Sequence, residues 1–548
     1  MKTFVTFVSL VVRNTAWNHT VLMDSLWFEY IVLTQPTLNR GNVPVMDILF
    51  ASSEAHPLVK TGGLADVSGS LPRAIKNLKQ EIRLILPAYP VARANAGVLK
   101  LVSEISLPGS QRPVRILHGR LPHTRVQLYL IDSPEYFDRD GGPYSTPTGK
   151  DWPDNAARFA LFARAVCAVA MNQARLDWKP DLVHCNDWQT GLVPALLSLQ
   201  AKRPATVFTI HNLAYQGLFG RDQFKALQLP HDWWSLDTLE FHDKISFIKG
   251  GLVFSDWITT VSPTYAKEIR TTEFGCGLEG LLEYRKDRLT GILNGVDYQV
   301  WNPGRDRLLP QTYTARTLES KLENKAALQE TFGLPVKAEV ALFGHVGRLV
   351  EQKGLDLILD LLPELLKRPM QLVFLGTGEA RLEQALRQAH RQHHDSIGVQ
   401  IDYDEKLAHL IEAGSDVFLM PSRFEPCGLN QLYSLRYATP PIVRNTGGLA
   451  DSVVDANGPN LYRHTATGFL FEQATPRQLL RAIDRALNLF NRQEVWKDLQ
   501  QAGMREDFSW NRSASAYVDL YEQALKQPHA SPDRLSASPL QNLSEAPV

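Results

Sequence analysis

From Met46 onward the chain alternates short apolar runs with longer amphipathic stretches, and it does so in two successive series. The first series offers DILFAS, IRLILPA, VQLYLID, DLVHCN, ATVFTIH, WITTVS and LTGILN as strands, with LADVSGSLPRAIKNL, NAARFALFARAVCAVAMNQA and GLVPALLSLQ as helices between them. Such alternation predicts a parallel sheet with helices on both faces. A second series starts near Lys337, with VALFGHVG, MQLVFLG, SIGVQID, DVFLMPS and PPIVRN as strands and GLDLILDLLPELLK, ARLEQALRQAHRQ, EKLAHLIEAG and LNQLYSLRYA as helices. The pattern therefore predicts an α/β protein of two doubly wound domains facing a central cleft. In such sheets ligands bind outside the carboxyl ends of the strands, which directs attention to the residues that follow each strand.

At 548 residues the chain is too long for one ordinary core, in keeping with two domains. Lys+Arg and Asp+Glu number 58 each, so no global field exists to hold nucleic acid or an acidic membrane surface, and any anion site must be local. Cys167, Cys185, Cys276 and Cys427 form no Cys-x-x-Cys pair, which disfavours a zinc site or a disulfide scaffold and fits a reducing compartment. No stretch is long and apolar enough to span a bilayer. Residues 1–45 begin with the apolar run MKTFVTFVSLVV but lack a small-x-small cleavage site, and they are not rich in Arg and Ser as a transit peptide is. They are expected to be an extension outside the fold, upstream of a natural start at Met46, with a targeting segment as the alternative. The Pro-, Ser- and Ala-rich segment 527–548 is expected to be a disordered tail.

The six residues TGGLAD occur twice, preceded by Lys60 in one copy and by Asn445 in the other. In the first, Gly62 and Gly63 let backbone approach a ligand, helix-start amides favour an anion and Lys60 adds a full charge, with Asp66 in the same turn. Thr446, Gly447 and Gly448 of the second copy are expected to offer amides to the same ligand. Glycines also simply begin tight strand-to-helix turns, so the lysine carries most of this inference. Asp187 after DLVHCN and His211 after ATVFTI emerge from neighbouring strand ends, although a lone histidine is more often a packed one. Arg348 stands at a strand end and Lys353 just before a helix, a pair of cations suited to a diphosphate. Glu425 precedes Pro426 at an expected helix start, where the carboxylate can hold sugar hydroxyls while the amides of Cys427, Gly428 and Leu429 meet phosphate or hydroxyl oxygens.

Other nucleotide chemistries fit the letters poorly. GTGEAR at 376 has Arg381 where a dinucleotide fingerprint needs its last glycine, and no G-x-x-x-x-G-K-[ST] occurs. The Asp-x-Asp spacings at Asp138–Asp140 and Asp402–Asp404 recur by chance in a chain this long, and no metal or cofactor is expected.

KTGGLADV, DLVHCNDW, TIHNLAYQG, ISFIKGGL, TTVSPTYAKEI, ILNGVD, GRLVEQKGLDLI, PSRFEPCGLNQLYSLRYAT and RNTGGLADSV, in this order, closely resemble the bacterial glycogen synthases and plant starch synthases that use ADP-glucose. The resemblance implies a GT-B glycosyltransferase with an acceptor-side domain over 46–295, a nucleotide-sugar domain over 296–505 and a helix over 506–526 crossing back to the first domain. It implies transfer of glucose from ADP-glucose to the non-reducing end of an α-1,4-glucan, with retention and without metal, in the cytoplasm and not a plastid. Carried onto matching positions, Lys60, Arg348 and Lys353 would neutralise the diphosphate, and Glu425 would hold glucose hydroxyls with Cys427 and Gly428 beside it. His211 would contact the transferred glucose with Asp187 close by, and Asn294 and Tyr403 would lie on the nucleotide side. Retention leaves two routes open, a double displacement with Asp187 as the nearest nucleophile, or same-face attack in which the leaving phosphate takes the proton. Tyr433 stands where broader relatives carry a second Glu, in keeping with the glycogen synthase branch. Asp402, Asp404 and Asn430 depart from the commoner residues at their positions. A GT-B transferase using UDP-glucose or another acceptor, and a glucan-binding protein without catalysis, are the alternatives.

Overall fold

A computed structural model describes residues 44–527 and 529. The expectations for the N-terminal extension and the C-terminal tail lie outside the described residues, apart from their innermost positions. The first series builds β1 (Asp47–Ala51), β2 (Glu81–Pro87), β3 (Lys100–Ile105), β4 (Val114–Arg120), β5 (Gln127–Asp132), β6 (Leu182–Asn186) and β7 (Ala205–Ile210). A side sheet of β8 (Leu218–Phe219), β9 (Glu240–Phe241) and β10 (Lys244–Ser246) interrupts it before β11 (Trp257–Thr260) and β12 (Leu289–Gly291) complete a nine-stranded sheet, order β12-β11-β7-β6-β1-β2-β5-β4-β3. The second series builds β13 (Ala341–Val346), β14 (Met370–Leu375), β15 (Ile397–Gln400), β16 (Val417–Met420), β17 (Pro441–Arg444) and β18 (Phe469–Phe471), order β15-β14-β13-β16-β17-β18. The second sheet is parallel throughout.

The first sheet corrects the expectation of a wholly parallel arrangement, because β3, β4 and β5 pair antiparallel at its edge. KLVSEI escapes an apolar-run search for a physical reason: as the edge strand it is mostly exposed and has no second neighbour to bury against. Five helices matter for the cleft: α1 (Gly63–Asn77), α2 (Pro263–Glu268), α3 (Asn430–Arg436), α4 (Gly447–Ser452) and α5 (Trp510–Lys526). Helix α1 buries Leu64, Ala65, Val67, Leu71, Ala74 and Ile75 along one face, with Asp66 in its first turn and Lys76 in its last, as the helix dipole favours. Gly69 is required within it, since a Cβ there would lie 2.3 Å from the His56 carbonyl oxygen.

Helix α5 follows the second sheet but packs on α1 and β7 of the first. Its anchor is Tyr521, whose hydroxyl lies 2.7 Å from Nδ1 of His184 in β6, while Nε2 of that histidine meets the Thr209 hydroxyl at 2.6 Å. Both rings are fully buried, and burial pushes the His184 imidazole down to about 3, so it stays neutral at working pH. The chain's return is tied at two further points: Ser513 Oγ donates to the Leu293 carbonyl at 2.6 Å, and the Val296 amide donates to the Phe508 carbonyl at 2.7 Å. No helix among the described residues is long and apolar enough to cross a membrane.

Because α5 closes the chain on a buried hydrogen bond, Tyr521→Phe is expected to cost about 1–2 kcal/mol by orphaning one side of His184. Tyr521→Ala, which also leaves a cavity, is expected to cost about 3–5 kcal/mol. Urea unfolding of the purified variants checks both, and equal midpoints for Phe and wild type would remove the hydroxyl from the account.

Candidate functional site

Each sheet reverses direction of winding once. In the first, β2 lies on one side of β1 and β6 on the other; in the second, β14 and β16 flank β13 in the same way. Connections leave the two strands of each pair in opposite directions, opening a crevice at their carboxyl ends. The loops after β1 and β6 carry Glu54, Lys60 and Asp187, and the loops after β13 and β16 carry Arg348, Lys353 and Glu425. The topology thus brings the candidate residues to one crevice in each sheet.

The first TGGLAD turn is closed by Glu54, a residue the sequence reading passed over. Its Oε2 accepts the Thr61 amide at 2.5 Å and the Gly62 amide at 3.2 Å, and its Oε1 accepts the Tyr144 hydroxyl at 3.0 Å. Burial pushes the Glu54 carboxyl upward, while the two amides and Tyr144 pull it back. Neither glycine packs on anything: a Cβ at Gly62 would meet no atom within 4 Å, and one at Gly63 only Leu429 Cδ1 at 4.0 Å. Lys60 pairs with Asp66 at 2.8 Å. Burial draws the Lys60 ammonium down, but Asp66, with Tyr403 and Glu405 from the other half, more than offsets this and holds it charged.

The second TGGLAD turn is built differently, which corrects the expectation that both copies present glycine amides to a ligand. Oε1 of Glu268 accepts the Thr446 hydroxyl at 2.9 Å and the Gly447 amide at 3.0 Å, and the Gly448 amide donates to the carbonyls of Glu425 and Pro426, each at 3.1 Å. Gly447 has a left-handed φ of +45°, and a Cβ there would lie 2.0 Å from the Glu425 carbonyl; at Gly448 it would lie 2.1 Å from that of Cys427. These glycines are required by backbone packed against backbone, and their turn supports the Glu425 loop.

Lys353, in a turn before helix Leu355–Leu365, reaches Glu425 Oε2 at 2.5 Å, and Ser422 Oγ donates to the same oxygen at 3.0 Å. Lys353, expected on the diphosphate, and Glu425, expected on the sugar, are thus in direct contact. Arg348 is exposed and donates to the Tyr215 hydroxyl of the first half at 3.4 Å. Cys427, Gly428 and Leu429 precede α3 instead of beginning it, and Gly428 turns the chain with φ +72°. Gln431 Nε2 holds the carbonyls of Cys427 and Gly428 at 2.9 and 3.1 Å, while the amides of 427–429 find no acceptor among the described residues. Asn294 is buried behind this loop against the Cys427 thiol, and its Oδ1 is unpartnered among the described residues. Burial pushes that thiol up to about 12.

Asp187 adopts φ +55° and turns its carboxylate back on the next loop, Oδ1 accepting the His211 amide at 2.7 Å with the Asn212 amide beside it. Burial still pushes its carboxyl up to about 7. His211 Nε2 lies 3.0 Å from Asn186 Oδ1, and because Asn186 Nδ2 donates to the Ala51 carbonyl at 3.0 Å, that oxygen is the face presented to the ring. Nε2 therefore carries the proton and Nδ1 is an acceptor; burial pushes the imidazole down to about 3. Tyr403 is 72% exposed on the rim. Its flanking aspartates are explained by local structure: Asp402 Oδ1 accepts the Tyr403 amide at 2.7 Å, and Asp404 caps the next helix through Leu407 N at 2.9 Å. Asn430 likewise ties α3 to β13, its Nδ2 donating to the Val346 carbonyl at 2.7 Å. Among the described residues no group of three or more His, Cys, Asp or Glu is arranged to hold a metal.

Beside Glu54, the sequence reading missed Ser262, Thr264, Glu268 and Asp451, which join the two halves. Thr264 donates from its amide and hydroxyl to the Asp451 carboxylate at 2.7 Å each, and Ser262 Oγ donates to the Pro426 carbonyl at 2.7 Å. The repeated motif itself pointed to Asp451, but nothing in the sequence pairs it with residue 264.

Comparison with known proteins accords with this geometry. Residues 47–284 match the family described as "Starch synthase catalytic domain", and residues 328–501 match "Glycosyl transferases group 1". "Glycogen synthase 2" of Nitrosococcus oceani is 56% identical over 480 residues, 88% of this chain and 98% of that protein. "Glycogen synthase" of Thioalkalivibrio sulfidiphilus is also 56% identical, over 482 residues covering 88% of this chain and 100% of that protein. Among solved structures, the catalytic domain of starch synthase IV from Arabidopsis thaliana, bound to ADP and acarbose, superposes with a TM-score of 0.80 at 32% identity, covering 88% of this chain and 100% of that one. With two Rossmann-like sheets in GT-B arrangement and homology across nearly the whole of both bacterial proteins, the chain belongs to the glycogen and starch synthase family of glycosyltransferases.

Proposed function

We propose that the chain transfers glucose from ADP-glucose to the non-reducing end of an α-1,4-glucan, with retention at the anomeric carbon and without a metal or cofactor. The observation that carries the proposal is the contact of Lys353 with Glu425 at one switch point, across from Lys60 and the open face of Gly62 and Gly63 at the other. A cation touching a hydroxyl-binding carboxylate suits the junction of a diphosphate and a sugar. The solved relative with ADP and acarbose bound supports a nucleotide and a glucan as ligands. Lys60, Arg348 and Lys353 would act on charge that grows as the diphosphate departs, where fixed cations lower a barrier most. Asn294, Cys427, Gly428 and Leu429 would complete the donor side, with Tyr403 on the nucleotide. His211, neutral and with Nδ1 as an acceptor, would meet the transferred glucose. The free cysteines support a cytoplasmic setting.

Same-face attack is the preferred route. Asp187, the nearest nucleophile, already accepts two backbone amides, which orients His211 but leaves the carboxylate poorly disposed to form a bond. The departing phosphate oxygen would take the acceptor hydroxyl's proton as the new glycosidic bond forms.

Release of ADP from ADP-glucose and of UDP from UDP-glucose, each with glycogen as acceptor, tests the proposal; turnover confined to UDP-glucose, or binding of glycogen with no nucleotide released, would overturn it. Lys60→Ala and Glu425→Ala are each expected to lower kcat by about 10²–10³ with the fold intact by circular dichroism. Asp187→Asn keeps an amide-accepting oxygen and is expected to retain activity within about tenfold, whereas Asp187→Ala loses about 10² or more. Loss in Asn as deep as in Ala would instead point to a covalent route. Gly62→Ala is expected to unfold with the wild-type midpoint yet raise the donor KM or lower kcat about tenfold, while Gly448→Ala should lose about 2 kcal/mol or more of stability. Thermal melts beside steady-state kinetics separate the two glycines.

A further inference from the structure

Helix α2 is part of the first half, yet three polar side chains at its cap and along it, Ser262, Thr264 and Glu268, bond to the second. Ser262 caps it, accepting the Tyr265 amide at 3.1 Å, and also donates its hydroxyl to the Pro426 carbonyl at 2.7 Å. Two residues on, Thr264 holds both oxygens of Asp451; four further on, Glu268 takes the Thr446 hydroxyl and the Gly447 amide. All three contacts end on the Glu425 loop or on the turn beneath it.

On that loop Lys353 and Ser422 hold the Glu425 carboxylate and Gln431 holds the carbonyls of Cys427 and Gly428, while the carbonyls of Glu425 and Pro426 themselves are met by the second Thr-Gly-Gly turn and Ser262. The backbone of Glu425 and Pro426 is held from below by the Gly448 amide, with Gly447 pressed against the Glu425 carbonyl, and the turn supplying both is set by what accepts Thr446 and Gly447. The acceptor is a single oxygen, Oε1 of Glu268, and its companion Oε2 is buried without a partner among the described residues. Burial pushes this carboxyl upward, and the Gly447 amide, the Thr446 hydroxyl and Arg444 draw it back.

We propose that Glu268 is a positioning residue for the transfer reaction: from the opposite half it fixes the second Thr-Gly-Gly turn and, through that turn, the placement of Glu425 toward the donor sugar. The inference rests on the proposed function in taking Glu425 as the sugar-holding group. What the geometry requires of residue 268 is an acceptor at a set reach, not a charge, since the two donors converge on one oxygen. Glutamine supplies that acceptor; aspartate keeps the charge but falls one methylene short.

The test compares Glu268→Ala, Glu268→Gln and Glu268→Asp in the full chain. At saturating glycogen, kcat/KM for the donor is expected to fall at least about 30-fold in Ala and Asp and to stay within about threefold of wild type in Gln, with the glycogen KM unchanged in all three. A role confined to joining the halves would move the unfolding midpoint and leave kcat/KM alone, which would overturn the inference, as would Asp outperforming Gln. If the Ala variant fails to fold, the Gln and Asp pair decides. Hydrogen exchange on the ligand-free proteins gives a reading that needs no activity: the Gly447 amide, bonded to Glu268, and the Gly448 amide, bonded to the Glu425 and Pro426 carbonyls, are expected to exchange at least about tenfold faster in Asp than in wild type, and unchanged exchange would overturn the inference. A wild type inactive on ADP-glucose would sink the proposed function alone, because the exchange comparison still reads Glu268.

Discussion

Two carboxylates set the geometry on which the cleft depends. A Thr-Gly-Gly turn entering a helix leaves amides with no partner in the turn. Glu54 meets this need for the first turn and Glu268 for the second. An internal anion thus occupies the place that a helix start would otherwise offer to a ligand. Amides without an acceptor among the described residues lie elsewhere, in the Cys427–Leu429 stretch, where Gly428 turns the chain and α3 begins only at Asn430.

The same six letters therefore do two jobs. In the first copy the carboxylate comes from the loop after β1 itself, the glycines face open space, and Asp66 is free to pair with Lys60. In the second copy the carboxylate comes from the other half, the glycines are packed against the Glu425 loop, and Asp451 receives Thr264 across the interface. One copy is an open wall of the cleft and the other is a joint between its halves. The shared letters begin a helix in both copies, but Gly62 is extended where its counterpart Gly447 is left-handed, so the neighbours decided both the turn and its use.

What could be read from the letters follows the range of the forces involved. Strands covered on both sides announce themselves as apolar runs, so the central strands of both sheets were legible, and with them the switch points that collect Lys60, Asp187, Lys353 and Glu425. The antiparallel edge was not, because KLVSEI is mostly exposed and keeps polar residues there. Contacts between distant residues were illegible for a different reason. Nothing local to Glu268 records that its oxygen ends on Gly447, 179 residues away, and Glu54 reads as one more residue after a strand until the turn folds onto it. Asp402 and Asp404 were noticed as departures, but as departures in nucleotide binding; their side chains cap the backbone on either side of Tyr403.

The inventory of carboxylates bears on the route to retention. Glu54 accepts two amides and a phenol, Asp187 accepts two amides, and Glu425 meets an ammonium and a serine hydroxyl. A nucleophile has to give up such partners as it forms a bond, and each release in a dry crevice leaves a donor unmet. Asp187 carries a further handicap, since burial pushes its carboxyl up to about 7 and leaves it partly protonated at neutral pH, and a protonated carboxyl is a poor nucleophile. Cations stand in both halves, Lys60 paired with Asp66 in the first, Lys353 paired with Glu425 and Arg348 exposed in the second. A site rich in fixed positive charge and short of uncommitted carboxylates favours a mechanism in which the leaving group carries the charge and takes the proton, which is the same-face route.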